Sequence, residues 1–239
     1  VSQLPSNRPS KVENRQALAD QRQQRHAAIN DNMNNLTDRQ QFWADHPNWA
    51  RYRVTRPYRW ATAAAIGGWY SMGSSAPVYY DYGENIYYEG DAVYQDGQQI
   101  ATAEEYADQA QEIATAAPET GDAAEWMPLG VFALTQEAKS AGTDAPTIYL
   151  QLVLSKEGVL NGTVKNTATD ESQEIEGMVD KESQRAAWVV SGKTSPIMET
   201  GIYNLTKDDA PALLHFEDGQ TQQWLLVRLD EPKEGADSK

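Results

Sequence analysis

Eight strand-length runs separated by polar turns fill the C-terminal half of this chain, and no other feature narrows the fold as much. They lie near residues 129–135, 147–155, 159–166, 174–180, 186–191, 197–203, 212–216 and 223–229. Alternation is clear in the second, where Ile148, Leu150, Leu152 and Leu154 share one face. A period of two with one apolar face is the pattern of a half-buried strand. The intervening segments are turn formers, such as Lys156-Glu157-Gly158 and Glu217-Asp218-Gly219. Short strands at even spacing predict an antiparallel β-barrel or sandwich over residues 126–230, so the chain is mainly β.

Upstream the character changes. Residues 61–117 read as an aromatic-rich hairpin followed by a helix. Asp96-Gly97 sits between two β-like runs and is a two-residue hairpin signal. Thr102-Ala103-Glu104-Glu105 is a capping box that opens a helix ending near Ala116. Residues 118–125 read as an acidic linker and 231–239 as a charged, disordered tail. Residues 1–60 form an arm. Ser10 and Glu13 make a second capping box, predicting a helix over 11–34, and a short further helix is expected between Thr37 and Asp45. The first of these helices has few apolar positions and needs a partner surface to persist in water.

Charge divides the chain at the same place. Residues 1–60 carry ten Lys/Arg against five Asp/Glu, and the remainder carries ten against thirty, giving the net −15. A basic arm on an acidic body is electrostatically complementary to another copy of itself, and the attraction is screened by salt. The candidate assembly contacts are Arg15, Arg22, Arg25, Arg39, Arg51, Arg53, Arg56 and Arg59, with Trp43, Trp49, Tyr52, Tyr58, Trp60 and Trp69. Trp, Tyr and Arg dominate binding hot spots. The same aromatics have two other readings: packing on the chain's own β-domain, or stacking on a ligand such as a polysaccharide. An acidic body with no run of consecutive cations argues against nucleic acid.

Chemistry is sparse. There are no cysteines, which removes disulfides and thiolate catalysis. His26, His46 and His215 lack neighbours at metal spacing, so no metal or other cofactor is expected. Ser191-Gly192-Lys193-Thr194 has Ala187 where a phosphate loop needs glycine, and Ser71 is out of step with a nucleophile elbow. The acidic pairs Glu104/Glu105, Asp170/Glu171 and Asp208/Asp209 sit at caps and turns, where carboxylates are ordinarily solvated. No enzymatic reading emerges. Asn35, Asn161 and Asn204 each begin an N-glycosylation sequon. No stretch reaches the roughly 20 apolar residues that span a bilayer, and Val1 reads as the start of a mature or trimmed chain, as an exported protein would have.

The stretches 77–83, 93–106, 125–130, 201–206 and 224–229 (PVYYDYG, VYQDGQQIATAEEY, EWMPLG, GIYNLT and WLLVRL) resemble exported planctomycete proteins described as mu-protocadherin or cell-surface proteins. The resemblance covers about 77–230 and implies an extracellular or cell-surface setting. No clustered Asp/Asn ligands occur at cadherin-like spacing, so it does not imply calcium-dependent adhesion. The resulting expectation is a self-assembling extracellular filament or surface layer, with a monomeric polysaccharide-binding module as the alternative. Removing residues 1–60 is expected to leave a folded, monomeric β-domain.

Overall fold

A computed structural model of the chain describes residues 7–34, 60–73, 75–118, 125–137 and 146–231. Eight strands close into an antiparallel barrel: β4 (Trp126–Gln136), β5 (Ile148–Ser155), β6 (Val159–Asn166), β7 (Glu171–Val179), β8 (Arg185–Val190), β9 (Ile197–Gly201), β10 (Asp209–His215) and β11 (Thr221–Arg228). Each strand pairs with the next, and β11 closes the ring on β4, with Trp224 opposite Gln136 and Arg228 opposite Phe132. Closure leaves this sheet no unpaired edge. The choice between barrel and sandwich is therefore a barrel.

Two prolines lie inside strands without breaking them. Pro211 precedes the β9–β10 ladder, which begins at Leu213, and its carbonyl accepts from Thr200 Oγ1 at 2.7 Å. Pro128 adjoins the bulge at Gly130, a position with φ +148°. Both sites spare the ladder the N–H that proline lacks.

The barrel is filled by side chains. Leu150, Leu152 and Leu154 of β5 point inward, as their alternation predicts, and meet Phe132, Leu160, Ile175, Trp188 and Leu226. One end is plugged by a short helix, α2 (Ala63–Trp69), capped by Thr62 Oγ1, which accepts from Ala65 N–H. Ile66 of this helix is fully buried, and Tyr70 donates to Val179 O at 2.9 Å. Trp69 Nε1 donates to Leu154 O at 3.1 Å, and Lys156 lies over its ring. Gly158 faces Tyr70: a Cβ there would stand 2.4 Å from the ring, and its φ is +91°.

A second layer covers the outer wall at β7–β10. It contains a three-stranded sheet, β1 (Ile86–Glu89), β2 (Ala92–Gln95) and β3 (Gln98–Thr102), followed by α3 (Ala103–Thr115). The hairpin at Asp96-Gly97 is present, and both residues have the positive φ it requires. The capping box is also present: Glu105 N–H donates to Thr102 Oγ1, and Thr102 N–H donates to Glu105 Oε2. Tyr80, Tyr82, Tyr88 and Tyr106 fill the layer together with Leu213 from the barrel.

The arm helix, α1, runs Arg15–Asn34 and starts later than its sequence predicts. Asn14 caps it instead of Ser10, with Ala17 N–H donating to Asn14 Oδ1 at 3.0 Å. Residues 7–12 are taken by other backbone partners. Asn7 exchanges bonds with Thr221 and Gln223, Tyr88 N–H donates to Pro9 O, and Val12 N–H donates to Gly83 O. A chain pinned in this way cannot also turn into a helix at Lys11. The second expected helix, Arg39, Trp43, Trp49, Arg51, Tyr52, Arg53, Arg56, Tyr58, Arg59 and Asn35 lie outside the described residues, as do most of the linker and tail.

Candidate functional site

The outer wall of β11, β4 and β5 is apolar where a free barrel would be polar. Val131, Ala133, Tyr149, Val153, Leu225, Val227 and Leu229 are all buried there, and Ile29 of α1 and Trp60 join the same cluster. Because α1 offers little apolar surface of its own, polar anchors complete the seat. Arg22 Nε lies 3.1 Å from Glu137 Oε1, with both side chains about nine-tenths buried. Arg25 donates to the carbonyls of Gln136 and Glu137. Asn30 donates to Arg228 O and accepts from Asp230 N–H. Trp60 donates from Nε1 to Leu229 O at 2.8 Å and from its backbone to Glu231. Thus Asn30 and Trp60 are held at the same place, the C-terminal end of β11.

This seat holds more acid than base. Burial pushes the Asp209 carboxyl up to about 6, against the attraction of His26 and Arg22 and with repulsion from Asp208 and Glu137. Nearby, Arg228 donates to the carbonyls of Thr206, Ala61 and Leu129. Burial lowers its pKa to about 10.

A buried charged node joins α3 to the barrel. Arg185 on β8 donates to Glu199 on β9, with Nε at 2.9 Å, and also to Gln109 Oε1 and Tyr106 O. Its guanidinium lies 3.9 Å from the Tyr106 ring centroid. The other Glu199 oxygen lies 2.9 Å from His215 Nε2, and His215 Nδ1 lies 3.1 Å from Thr221 Oγ1. A carboxylate only accepts, so Nε2 carries a proton. Burial alone would raise the Glu199 carboxyl, but Arg185 and His215 outweigh it and hold it below the usual carboxylate range. Burial drives the hydroxyls of Tyr82 and Tyr106 well above their ordinary value, so both stay neutral.

Thr221, His215 and Glu199 have the order of a hydroxyl, a base and an orienting acid. Thr221 is only 2% exposed, however, and Arg185 already occupies the carboxylate. The arrangement fastens elements together and offers no accessible nucleophile. A faint sign of it is present in the sequence: Glu199 and His215 each interrupt an apolar strand, and Arg185 is one of only two arginines beyond residue 60.

Beside this node lies a cleft of about 630 Å³ between α3 and the β10–β11 hairpin. Its floor is buried Ala103, Ile197 and His215, and its exposed rim carries Asp91, Glu104, Asp108, Glu217 and Asp218. Arg8 also lines it, donating to Asp91 Oδ1 at 3.2 Å, Gly90 O at 3.3 Å and Gly219 O at 3.5 Å.

Of the expected assembly residues, Arg22, Arg25 and Trp60 come together in the α1 seat, within their own chain. Exposed Arg15 pairs with half-buried Glu84 at 3.6 Å, and Trp69 belongs to the plug at the barrel end. Among the sequons, Asn204 is 1% exposed, and its amide spans the backbone N–H and C=O of Tyr80, which leaves no room for a glycan on the folded chain. Asn161 is half-buried within β6. Among the described residues there is no cluster of metal-ligating side chains, and no helix is long and apolar enough to cross a membrane. No family model, curated protein or solved structure significantly matches the chain.

Proposed function

We propose that this chain is an extracellular or cell-surface structural protein that assembles head-to-tail, the arginine- and aromatic-rich part of one arm docking on the acidic body of the next copy. One observation carries the reading. Arg22 and Arg25 are spent at home at the end of β4, and Trp60 just beyond β11, while five further arginines lie between Arg25 and Trp60 in a chain whose remainder is strongly acidic. On this reading the charge of the intervening sequence is available to a neighbouring copy. A contact between unlike surfaces propagates into a fibre unless its rotation closes a ring. The resemblance to planctomycete cell-surface proteins supports the extracellular setting.

Negative-stain microscopy of the full chain at low and high salt tests the proposal. Regular fibres that shorten as salt rises are expected, because the attraction is electrostatic. Particles of one size at both salts overturn it and favour a monomeric polysaccharide-binding module.

A further inference from the structure

We infer that the acidic cleft between α3 and the β10–β11 hairpin is a docking site for the cationic, aromatic segment 51–59 of a second copy of this chain. The inference rests on the self-assembly reading and says where the contact is made.

Three observations lead to the cleft. The first is charge. Five carboxylates and one guanidinium line it, and Glu104 and Asp108 stand one helical turn apart on the exposed face of α3. Like charges at this spacing destabilise a helix, and Glu217 faces them from the hairpin across the cleft. A cation bound between these elements relieves that repulsion.

The second is Arg8. An arginine from this chain's own arm already sits at the rim, its guanidinium donating to Asp91 and to the carbonyls of Gly90 and Gly219. The cleft therefore displays arginine recognition by carboxylate and carbonyl oxygens, the geometry that suits a planar, five-donor group. The third is shape. The floor sets Ala103 and Ile197, with half-buried Phe216 beside them, next to the His215 ring. Its volume falls within the usual range of ligand pockets, about 300–1,000 Å³. A floor of apolar side chains and one imidazole ring under an acidic rim matches a segment in which arginines alternate with rings, as in Arg51-Tyr52-Arg53 and Arg56-Pro57-Tyr58-Arg59. Lysine would satisfy the charge, but only arginine stacks on rings and bonds bidentately.

The test uses the full chain and a fluorescently labelled peptide of residues 49–60. The comparison variant is Glu104→Lys/Asp108→Lys, with Glu104→Gln/Asp108→Asn as a milder second. Neither touches the capping box, which uses Glu105, and circular dichroism checks that each is folded. The peptide is expected to bind the native chain and to lose roughly tenfold or more in affinity to the charge-reversed chain, with the neutral variant between them. A peptide that fails to bind, or binds all three chains equally, overturns the inference. Sedimentation velocity on the same samples separates this result from the broader reading. If the native chain assembles and the charge-reversed chain assembles equally well, the cleft assignment is wrong and self-assembly stands. If the native chain stays monomeric at every concentration, self-assembly fails, and peptide binding still reports on the cleft.

Discussion

Single residues decide how the barrel and its outer layer hold together, and Glu199 is the most consequential. It lies fully buried between Arg185 and His215. Glu199→Gln would leave the guanidinium buried without its counter-charge, a change that typically costs about 3–5 kcal/mol. A matching drop in the unfolding free energy extrapolated from urea titration is expected. Replacing Arg185 and Glu199 together by Met should cost less than the single change, since no lone charge remains. Asp209 gives a pH-dependent counterpart. Its folded pKa, pushed up to about 6, lies above the ordinary carboxyl value of 3.8. The protonated form is therefore favoured by folding. The stabilisation is complete below the unfolded pKa and is lost as pH rises through about 6. Thermal melts across this range should show Asp209→Asn gaining on the native chain as pH increases, and a constant difference would refute the assignment.

Among the elements, the plug helix and the arm helix illustrate opposite kinds of attachment. Tyr70 fits α2 into the barrel end only because residue 158 has no side chain and a positive φ. Gly158→Ala should destabilise the fold by about 1–3 kcal/mol through overpacking and backbone strain, visible as a lower urea midpoint. On the arm side, Trp60→Ala removes both the ring and its bond to Leu229. Truncating a buried Trp costs about 3–5 kcal/mol, and faster proteolysis within the arm should accompany that loss. The strands, the Asp96-Gly97 hairpin and the Thr102 cap were legible in the sequence because each rests on local chemistry: alternation, positive-φ residues, or a box of four residues. The Ser10 cap was misleading because distant partners at Gly83 and Tyr88 claimed the backbone of Val12 and Pro9 on either side of it. The charged node was invisible for a related reason. Arg185, Glu199 and His215 come from three strands, and only the register in which β9 pairs with β8 and with β10 brings them within hydrogen-bonding distance. The outward face of β5 read as an ordinary solvent-facing stripe, yet Tyr149 and Val153 lie under the arm cluster.

For the whole molecule, that covered wall revises one expectation. A chain lacking residues 1–60 would expose the cluster around Val131, Leu225 and Val227. The truncated domain should therefore associate through this wall or precipitate and not remain monomeric, which size-exclusion chromatography would show. Within its own chain, α1 together with Trp60 is the cover of this wall.

The placement of that cover also has a kinetic consequence. Asn7, Asn30 and Trp60 all bind β11 or the residues just beyond it, and β11 is also the strand that closes the barrel on β4. In a chain made from its N-terminus, the earliest segment must therefore wait for the latest strand before it has a surface to fold against. Contacts of such long sequence separation slow folding. The anchors at Asn7, Asn30 and Trp60 thus have no partner until synthesis has reached β11. Their ordering and the sealing of the barrel become one late event.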